Sequence, residues 1–154
     1  MPRLVSRYFG ELDYSTEAVF QFPEGIPAFE DQTAFVFLEQ PQTHPLVFMQ
    51  SLVNPGLCFI TVPVRVADPA YRPDLSPEDF ALLALSPEPP PQAGSDILCL
   101  TLVTVSEHAD PTVNLASPIV LNLRNRKGVQ AIPPSSDYSL RHPLLAHKDI
   151  VPCS

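Results

Sequence analysis

The sequence predicts a mainly β protein, a small antiparallel β-barrel-like single domain with one short helix. Twenty prolines are spread over 154 residues that hold only five glycines. Because proline removes a backbone donor and is confined to the ends, edges and bulges of strands, the strands between prolines must be short. Those segments alternate in polarity or are rich in β-branched and aromatic residues, which is typical of strands. A single segment carries a clear helix-start signal.

Strands are expected where these patterns occur. The expected spans are about 5–12, 17–22, 34–39, 46–52, 57–64, 97–106, 112–123 and 129–132. In 34–38 and 97–105 apolar residues occupy both faces, which is typical of strands that are covered on both sides. A closed or nearly closed antiparallel sheet with loops packed outside it explains this pattern.

The predicted helix starts at Ser76, which is a suitable N-cap because Pro77 follows it at the first helical position and two acids come next. It should end near Leu85. The proline-rich segment 86–95 then predicts an exposed, stiff loop with polyproline character, and we interpret it as a spacer in preference to a ligand for a recognition domain. Residues 125–128 predict a hairpin turn with Gly128 at positive φ.

The length suits one domain, which we place at residues 1–145, followed by a flexible C-terminal tail at 146–154. No apolar run approaches the roughly 20 residues that a membrane helix needs. The N-terminal residues lack the apolar region of a signal peptide. The expected location is therefore the cytoplasm.

The formal net charge is −8, and residues 11–39 contain seven acids and no Lys or Arg. An acidic surface repels phosphate backbones, so direct binding to nucleic acid is not expected. A membrane is not an expected partner either, because no apolar run is long enough to span one. The same field favours a basic protein partner. The alternative is that the charge serves solubility alone.

A search for reaction centres finds no motif for nucleophilic, nucleotide-dependent or metal-dependent catalysis. The three cysteines and four histidines lack the spacing of a metal site or a disulfide framework, so no metal and no cofactor is expected. Two alternatives stay open at this point. One is a hydrolase on a small β-barrel that uses Ser51 or His142, and the other is a β-domain that binds a small ligand.

Two segments are candidates for contact with a partner. In the first, Gly25 provides a permissive turn position between two prolines, and the rigid loop presents Glu24 and Glu30. A structural role, in which Phe22, Ile26 and Phe29 cover an open end of the barrel, is the preferred explanation of this loop. In the second, residues 68–75, Tyr71 lies between Asp68 and Asp74 on a proline-braced loop. Tyrosine is a common interface anchor, and flanking acids orient a basic partner. A ring packed under its own loop explains Tyr71 equally well.

Four islands, residues 22–30, 48–52, 112–122 and 138–144, resemble in order and spacing the flagellar assembly factor FliW family. The resemblance covers nearly the whole chain, and residues 68–74 also match. Where the family usually has Gly this chain has Ala28, and where it usually has Leu this chain has Met49.

The resemblance implies a cytoplasmic, non-enzymatic β protein. It also implies binding to CsrA, a small basic RNA-binding dimer, whose repression of flagellin translation is thereby relieved. A second implied partner is flagellin, which in this family releases CsrA.

Overall fold

The structure, a computed structural model, describes residues 2–133 and 137–144. The strands in these ranges are β1 (Arg3–Ser6), β2 (Gly10–Asp13), β3 (Val19–Gln21), β4 (Ala34–Glu39), β5 (Val47–Ser51), β6 (Cys58–Pro63), β7 (Ile97–Ser106), β8 (Ala109–Val113), β9 (Ile119–Asn122), β10 (Lys127–Gln130) and β11 (His142–Pro143). The α-helices are α1 (Val64–Ala67) and α2 (Pro77–Leu83). No helix in the described ranges is long and apolar enough to cross a membrane.

Seven strands close into a barrel in the order β7-β6-β5-β4-β3-β10-β9, and β9 pairs back onto β7. Every neighbouring pair in this ring is antiparallel except β3 and β10, which run parallel. The long strand β7 makes closure possible, because Ile97–Leu100 pairs with β9 and the part after it pairs with β8. The mainly β, barrel-like fold expected from the sequence is confirmed.

The inside of the barrel is filled by large apolar side chains, both aromatic and aliphatic. The fully or nearly buried members are Phe20, Phe22, Ile26, Phe35, Val47, Met49, Leu100, Ile119 and Leu121. Phe22 packs edge-on against Phe35 with ring centroids 5.2 Å apart. Such aromatic contacts stabilise the interior beyond the burial of their area.

A second apolar cluster lies on the other face of strands β6, β7, β9 and β10, under both helices and the segment after α1. Its buried members include Val62, Tyr71, Leu83, Cys99 and Val120. The two clusters explain why the sequence of β7 is apolar on both faces. The expectation of cover on both sides is confirmed for 34–38 and for the first part of β7, since Val36 and Cys99 are buried as well as Phe35 and Leu100. It was wrong for the end of β7, where Thr104 is exposed and Val105 exposes 64% of its surface.

The β1–β2 hairpin is fastened to the barrel by a buried amide. The Oε1 atom of Gln50 accepts a hydrogen bond from Ser6 Oγ at 2.9 Å, and its Nε2 donates to the carbonyl groups of Ser51 and Leu57. Gln50 is fully buried, so these bonds are needed to offset the loss of water. Phe9 from the hairpin turn adds an edge-on contact with Phe48.

Two expected strands are each divided in the structure. The span 5–12 is the β1–β2 hairpin, in which Gly10 has a φ of +67° and lets the chain reverse. The span 112–123 is broken between β8 and β9, where Asn114 Oδ1 accepts from the N–H groups of Ala116 and Ser117. The turn replaces strand pairing for these residues, so a single strand was the wrong interpretation.

The expected conformation of Gly128 was also wrong. Arg126 has the positive φ, +59°, and Gly128 lies within β10. Helix α2 follows its prediction closely, whereas the single turn α1 was not expected from the sequence. The proposed tail, residues 146–154, lies outside the described residues.

Candidate functional site

The loop that follows β3 has a backbone course that only glycine at position 25 permits. Gly25 has a φ of +64°, and a Cβ placed on it would lie 2.6 Å from the carbonyl oxygens of Phe29 and Glu30. The next residue, Ile26, is buried in the barrel interior. The loop is therefore anchored in the core while Glu24 stays exposed to solvent.

Glu30 closes the same loop from the other side. Its Oε2 atom accepts a hydrogen bond from the N–H of Ala28 at 2.9 Å, and Ala28 has a φ of +73°. Phe29 packs edge-on against Phe59 with ring centroids 5.4 Å apart. Both carboxylates expected to face a partner, Glu24 and Glu30, thus lie on a loop that internal bonds and core contacts hold in place.

This loop forms one wall of a groove of about 470 Å³. Helix α2 forms the other wall and β10 forms the floor. The lining residues are Glu24, Gly25, Pro27, Glu30, Ser76, Glu78, Asp79, Leu82, Gly128, Val129, Gln130 and Ile132. None of these lining residues is basic, and Ile132 exposes 67% of its surface.

The acids of the groove differ in how they are held. Asp79 is buried in a capping box, in which its N–H donates to Ser76 Oγ at 3.1 Å and its carboxylate accepts from the N–H of Ser76. This arrangement satisfies two backbone donors at the start of α2. Glu24, Glu30 and Glu78 are exposed, so they supply the charge that a partner in the groove would meet.

The structure places Tyr71 in the core, with 1% of its surface exposed. Its hydroxyl donates to the carbonyl of Leu115 at 3.0 Å, and its ring packs on Tyr138 with centroids 4.3 Å apart. The ring is therefore not an exposed anchor in this structure, and packing under its own loop is the interpretation that the geometry supports. Burial raises the pKa of the phenol, and the nearby carboxylates of Asp68 and Asp74 add to the rise.

The two acids that flank Tyr71 remain accessible. Asp74 is exposed, and Asp68 is half-buried, with its Oδ1 accepting from the N–H of Ala70 at 3.0 Å. Neither lines the acidic groove. The structure thus brings Glu24 and Glu30 together with Glu78, and it leaves Asp68 and Asp74 as a separate acidic surface around a buried ring.

Sequence reasoning did not place Glu78 and Ile132 at a site. Glu78 was recognised only as an acid of the first helical turn. Its position opposite the Glu24–Glu30 loop depends on how α2 packs on β10, and no local pattern encodes that. Ile132 lies just past the end of β10 and is exposed. Its exposure could not be predicted from the sequence, because the expected strand 129–132 included this residue.

Ser51 and His142, the candidate residues of the hydrolase alternative, have structural partners. Ser51 Oγ donates to Gln32 Oε1 and accepts from the N–H groups of Val53 and Asn54. The Nε2 atom of His142 lies 3.2 Å from the carbonyl of Ala67, so this ring fastens β11 to the end of α1. Burial raises the pKa of the Cys99 thiol to about 11, which makes it a poor nucleophile.

Among residues 2–133 and 137–144, no group of three or more His, Cys, Asp or Glu side chains is placed to hold a metal ion. The acids of the groove do not form such a group either. What the groove offers is a lining with apolar side chains, among them Leu82 and Ile132, and exposed carboxylates on both walls.

Comparison with known proteins supports one family. The family model described as FliW protein matches residues 3–144. A flagellar assembly factor FliW from Desulfitobacterium hafniense (strain DSM 10664 / DCB-2) is 38% identical over 143 residues, which is 92% of this chain and 90% of that protein. Another, from Syntrophomonas wolfei, is 32% identical over 142 residues, with 92% and 88% covered.

A solved structure agrees with the sequence matches. The crystal structure of the flagellar assembly factor FliW superposes with a TM-score of 0.80 at 28% identity, and the match covers 93% of this chain and 96% of that one. The chain therefore belongs to the FliW family of flagellar assembly factors.

Proposed function

We propose that this flagellar assembly factor works by binding CsrA, a small basic RNA-binding dimer, and so relieves repression of flagellin translation. We also propose that it binds flagellin and that flagellin competes with CsrA. The observation that carries the proposal is family membership across residues 3–144. The fold and the charge of the chain support it.

The charge distribution suits a basic partner. The net charge is −8, and exposed carboxylates lie both along the groove and beside Tyr71. Complementary charge speeds encounter between proteins and excludes partners of the same sign, including nucleic acid. A bound acidic domain would thus oppose the approach of RNA to CsrA without itself contacting RNA.

We infer that the protein acts in the cytoplasm by binding and not by catalysis. Ser51 and His142, the two residues on which a hydrolase was considered, are engaged by Gln32 and by the carbonyl of Ala67. Exposed acids on a folded barrel suit the binding of a basic protein.

Two acidic surfaces are proposed to face the partners. One comprises Asp68 and Asp74, and the other comprises Glu24 and Glu30. Tyr71 contributes to the first only by holding its loop in place, because the ring packs in the core. Charge reversal on each surface, followed by binding measurements with CsrA and with flagellin, distinguishes one shared surface from two separate ones.

The function is tested by measuring the affinity of CsrA for its flagellin message with and without the purified protein. We expect weaker RNA binding in its presence and restored RNA binding when flagellin is added. Unchanged RNA affinity, together with no binding to CsrA or flagellin, would reject the proposal.

The surfaces are tested by reversing charge in pairs. The first pair is Asp68→Lys with Asp74→Lys, and the second is Glu24→Lys with Glu30→Lys. Since exposed acids mainly steer encounter, the pair at the interface should slow CsrA association and reduce its salt dependence. Reversal at Glu107, in the β7–β8 turn, and at Asp110, in β8, is the matched control, since both residues are exposed. Wild-type kinetics for both test pairs would move the CsrA interface elsewhere.

A further inference from the structure

The floor of the acidic groove contains a strand whose pairing stops early. Strands β3 and β10 run parallel but match at a single register position, Lys127 with Gln21. The N–H of Gln21 donates to the carbonyl of Arg126 at 2.8 Å. Strand β10 continues to Gln130 and pairs with β9 along its whole length. On its other side, β3 pairs with it only at Lys127.

The reason for the early stop is Pro23. In a parallel ladder, alternate residues of one strand donate to the next, so the donor after Gln21 would be residue 23. Proline has no N–H and cannot continue the ladder. The chain then turns away through Gly25, and the Glu24–Glu30 loop becomes a wall of the groove.

Because the N–H of Ala131 donates to the carbonyl of Pro118 and alternate residues of β10 bond to β9, the backbone groups of β10 that point away from β9 toward the groove are those of Gly128 and Gln130. Among the residues that the structure describes, no strand pairs with this edge of β10 beyond Lys127. Gly128, Val129 and Gln130 all line the groove. Unpaired backbone edges of this kind are templates for the addition of a strand from another chain.

The walls of the groove specify the chemistry of such a strand. Its exposed acids are Glu24 and Glu30 on one side and Glu78 on the other, and its apolar lining includes Leu82 and Ile132. Side chains of an extended peptide point alternately to opposite faces. Lysine or arginine on one face and aliphatic residues on the other would match the two kinds of lining.

We propose that this groove binds an extended, basic segment of a partner protein, which adds a strand to the edge of β10 at residues 128–130. The inference goes beyond the proposed function, because it specifies a mode of recognition that does not depend on which partner carries the segment. In this mode, β10 forms hydrogen bonds with the backbone of the bound segment, and the acids of the groove favour segments with basic side chains.

The test is a selection from a random peptide library against the immobilised full chain. We expect enrichment of peptides in which Lys or Arg alternates with Val, Ile or Leu. The most enriched peptide is then synthesised and titrated into isotope-labelled protein. The amide signals of Gly128, Val129 and Gln130 should shift. A version of the peptide with N-methyl groups on its pairing edge should bind about tenfold or more weakly, since it lacks the donors that strand addition needs.

Matched variants separate this site from general attraction to an acidic protein. Glu24→Lys combined with Glu30→Gln keeps an acceptor for the N–H of Ala28 and should weaken peptide binding about tenfold. Glu107→Lys combined with Asp110→Asn makes the same change in net charge at a surface outside the groove, and it should leave binding near the wild-type value.

Four outcomes would each overturn the proposal. They are no enrichment of any peptide, enrichment of non-basic peptides, amide shifts confined to other regions, and equal effects of the two double variants on peptide binding. The CsrA–RNA assay is independent of these outcomes, so failure here is distinguishable from failure of the proposed function.

Discussion

Gly128 lies directly against the ring of Phe22. A Cβ built on Gly128 would come within 2.5 Å of Phe22 Cζ and within 2.9 Å of Leu121 Cδ2. Phe22 is fully buried, and it precedes the proline at which pairing between β3 and β10 stops. The glycine thus lets the largest side chain of this region fill the barrel beneath the floor of the groove.

Gly128→Ala should destabilise the fold by roughly 1–3 kcal/mol, because an added methyl group in a packed core forces neighbours out of position. The measurement is the free energy of unfolding from urea denaturation. Gly56→Ala is the control, since its Cβ would meet only Asn54 Oδ1, at 3.3 Å. In combination with Phe22→Leu, the cost of Gly128→Ala should shrink, because contacting residues are not additive. Equal costs in both backgrounds would contradict the assigned contact.

Gly128 also shows where sequence reasoning about the fold reached its limit. Proline spacing and two-faced apolar strands were sufficient to predict a closed, mainly β sheet. The same reasoning gave Gly128 a turn role because glycine tolerates positive φ, whereas the turn actually uses Arg126. The need for glycine arises from Phe22, which is distant in sequence, and local propensity contains no information on that contact.

For the candidate site, the sequence was sufficient to predict the Glu24–Glu30 loop but not the position of Tyr71. A glycine between two prolines correctly indicated a turn at Gly25 in a loop that exposes Glu24 and Glu30. Tyr71 had two interpretations that the sequence left equal, because an aromatic between acids suits either an interface or a core. The Leu115 carbonyl and the Tyr138 ring decide in favour of the core, and both come from other parts of the chain.

Tyr71 offers a prediction with two graded variants. Tyr71→Phe keeps the ring but leaves the Leu115 carbonyl without its donor, which should cost about 1–3 kcal/mol. Tyr71→Ala also removes the ring from the core and should cost about 3–5 kcal/mol. Denaturation measures both. If Tyr71→Phe remains folded, its CsrA association and dissociation rates should match the wild type, and an altered rate with unchanged stability would instead indicate direct contact with the partner.

The alkaline range offers a second test of the core. Burial raises the pKa of both the Cys58 and the Cys99 thiols to about 11 from an ordinary value of 9.0. Between about pH 9 and pH 11 the unfolded chain therefore loses protons that the folded chain retains. The contribution of these thiols to the free energy of unfolding should be constant well below pH 9 and should fall as the pH rises through this window, by on the order of 1–2 kcal/mol for the more buried Cys99. The buried Tyr71 phenol, whose pKa is also raised, adds to the fall from about pH 10 upward. Denaturation on either side of the window, with Cys99→Val as the control, measures the slope. The variant should show a smaller decline, and an identical decline would place the titrating groups elsewhere.

Ala28 gives the sharpest prediction for the Glu24–Glu30 loop. It has a φ of +73°, a conformation that costs a residue with a Cβ roughly 1–2 kcal/mol, and its exposed side chain makes up for none of that by burial. Ala28→Gly should therefore raise the free energy of unfolding, by about 0.5–1 kcal/mol after the greater entropy of glycine in the unfolded chain is subtracted.

The matched control is Ala81→Gly. Ala81 is also exposed but lies in α2, where glycine should lower stability by about 1 kcal/mol. The hydrogen bond from the N–H of residue 28 to Glu30 involves only the backbone of Ala28, so it should survive the change. Opposite signs for two alanine-to-glycine changes isolate backbone strain as the cause. A loss of stability in Ala28→Gly would mean that the loop tolerates its left-handed alanine without strain.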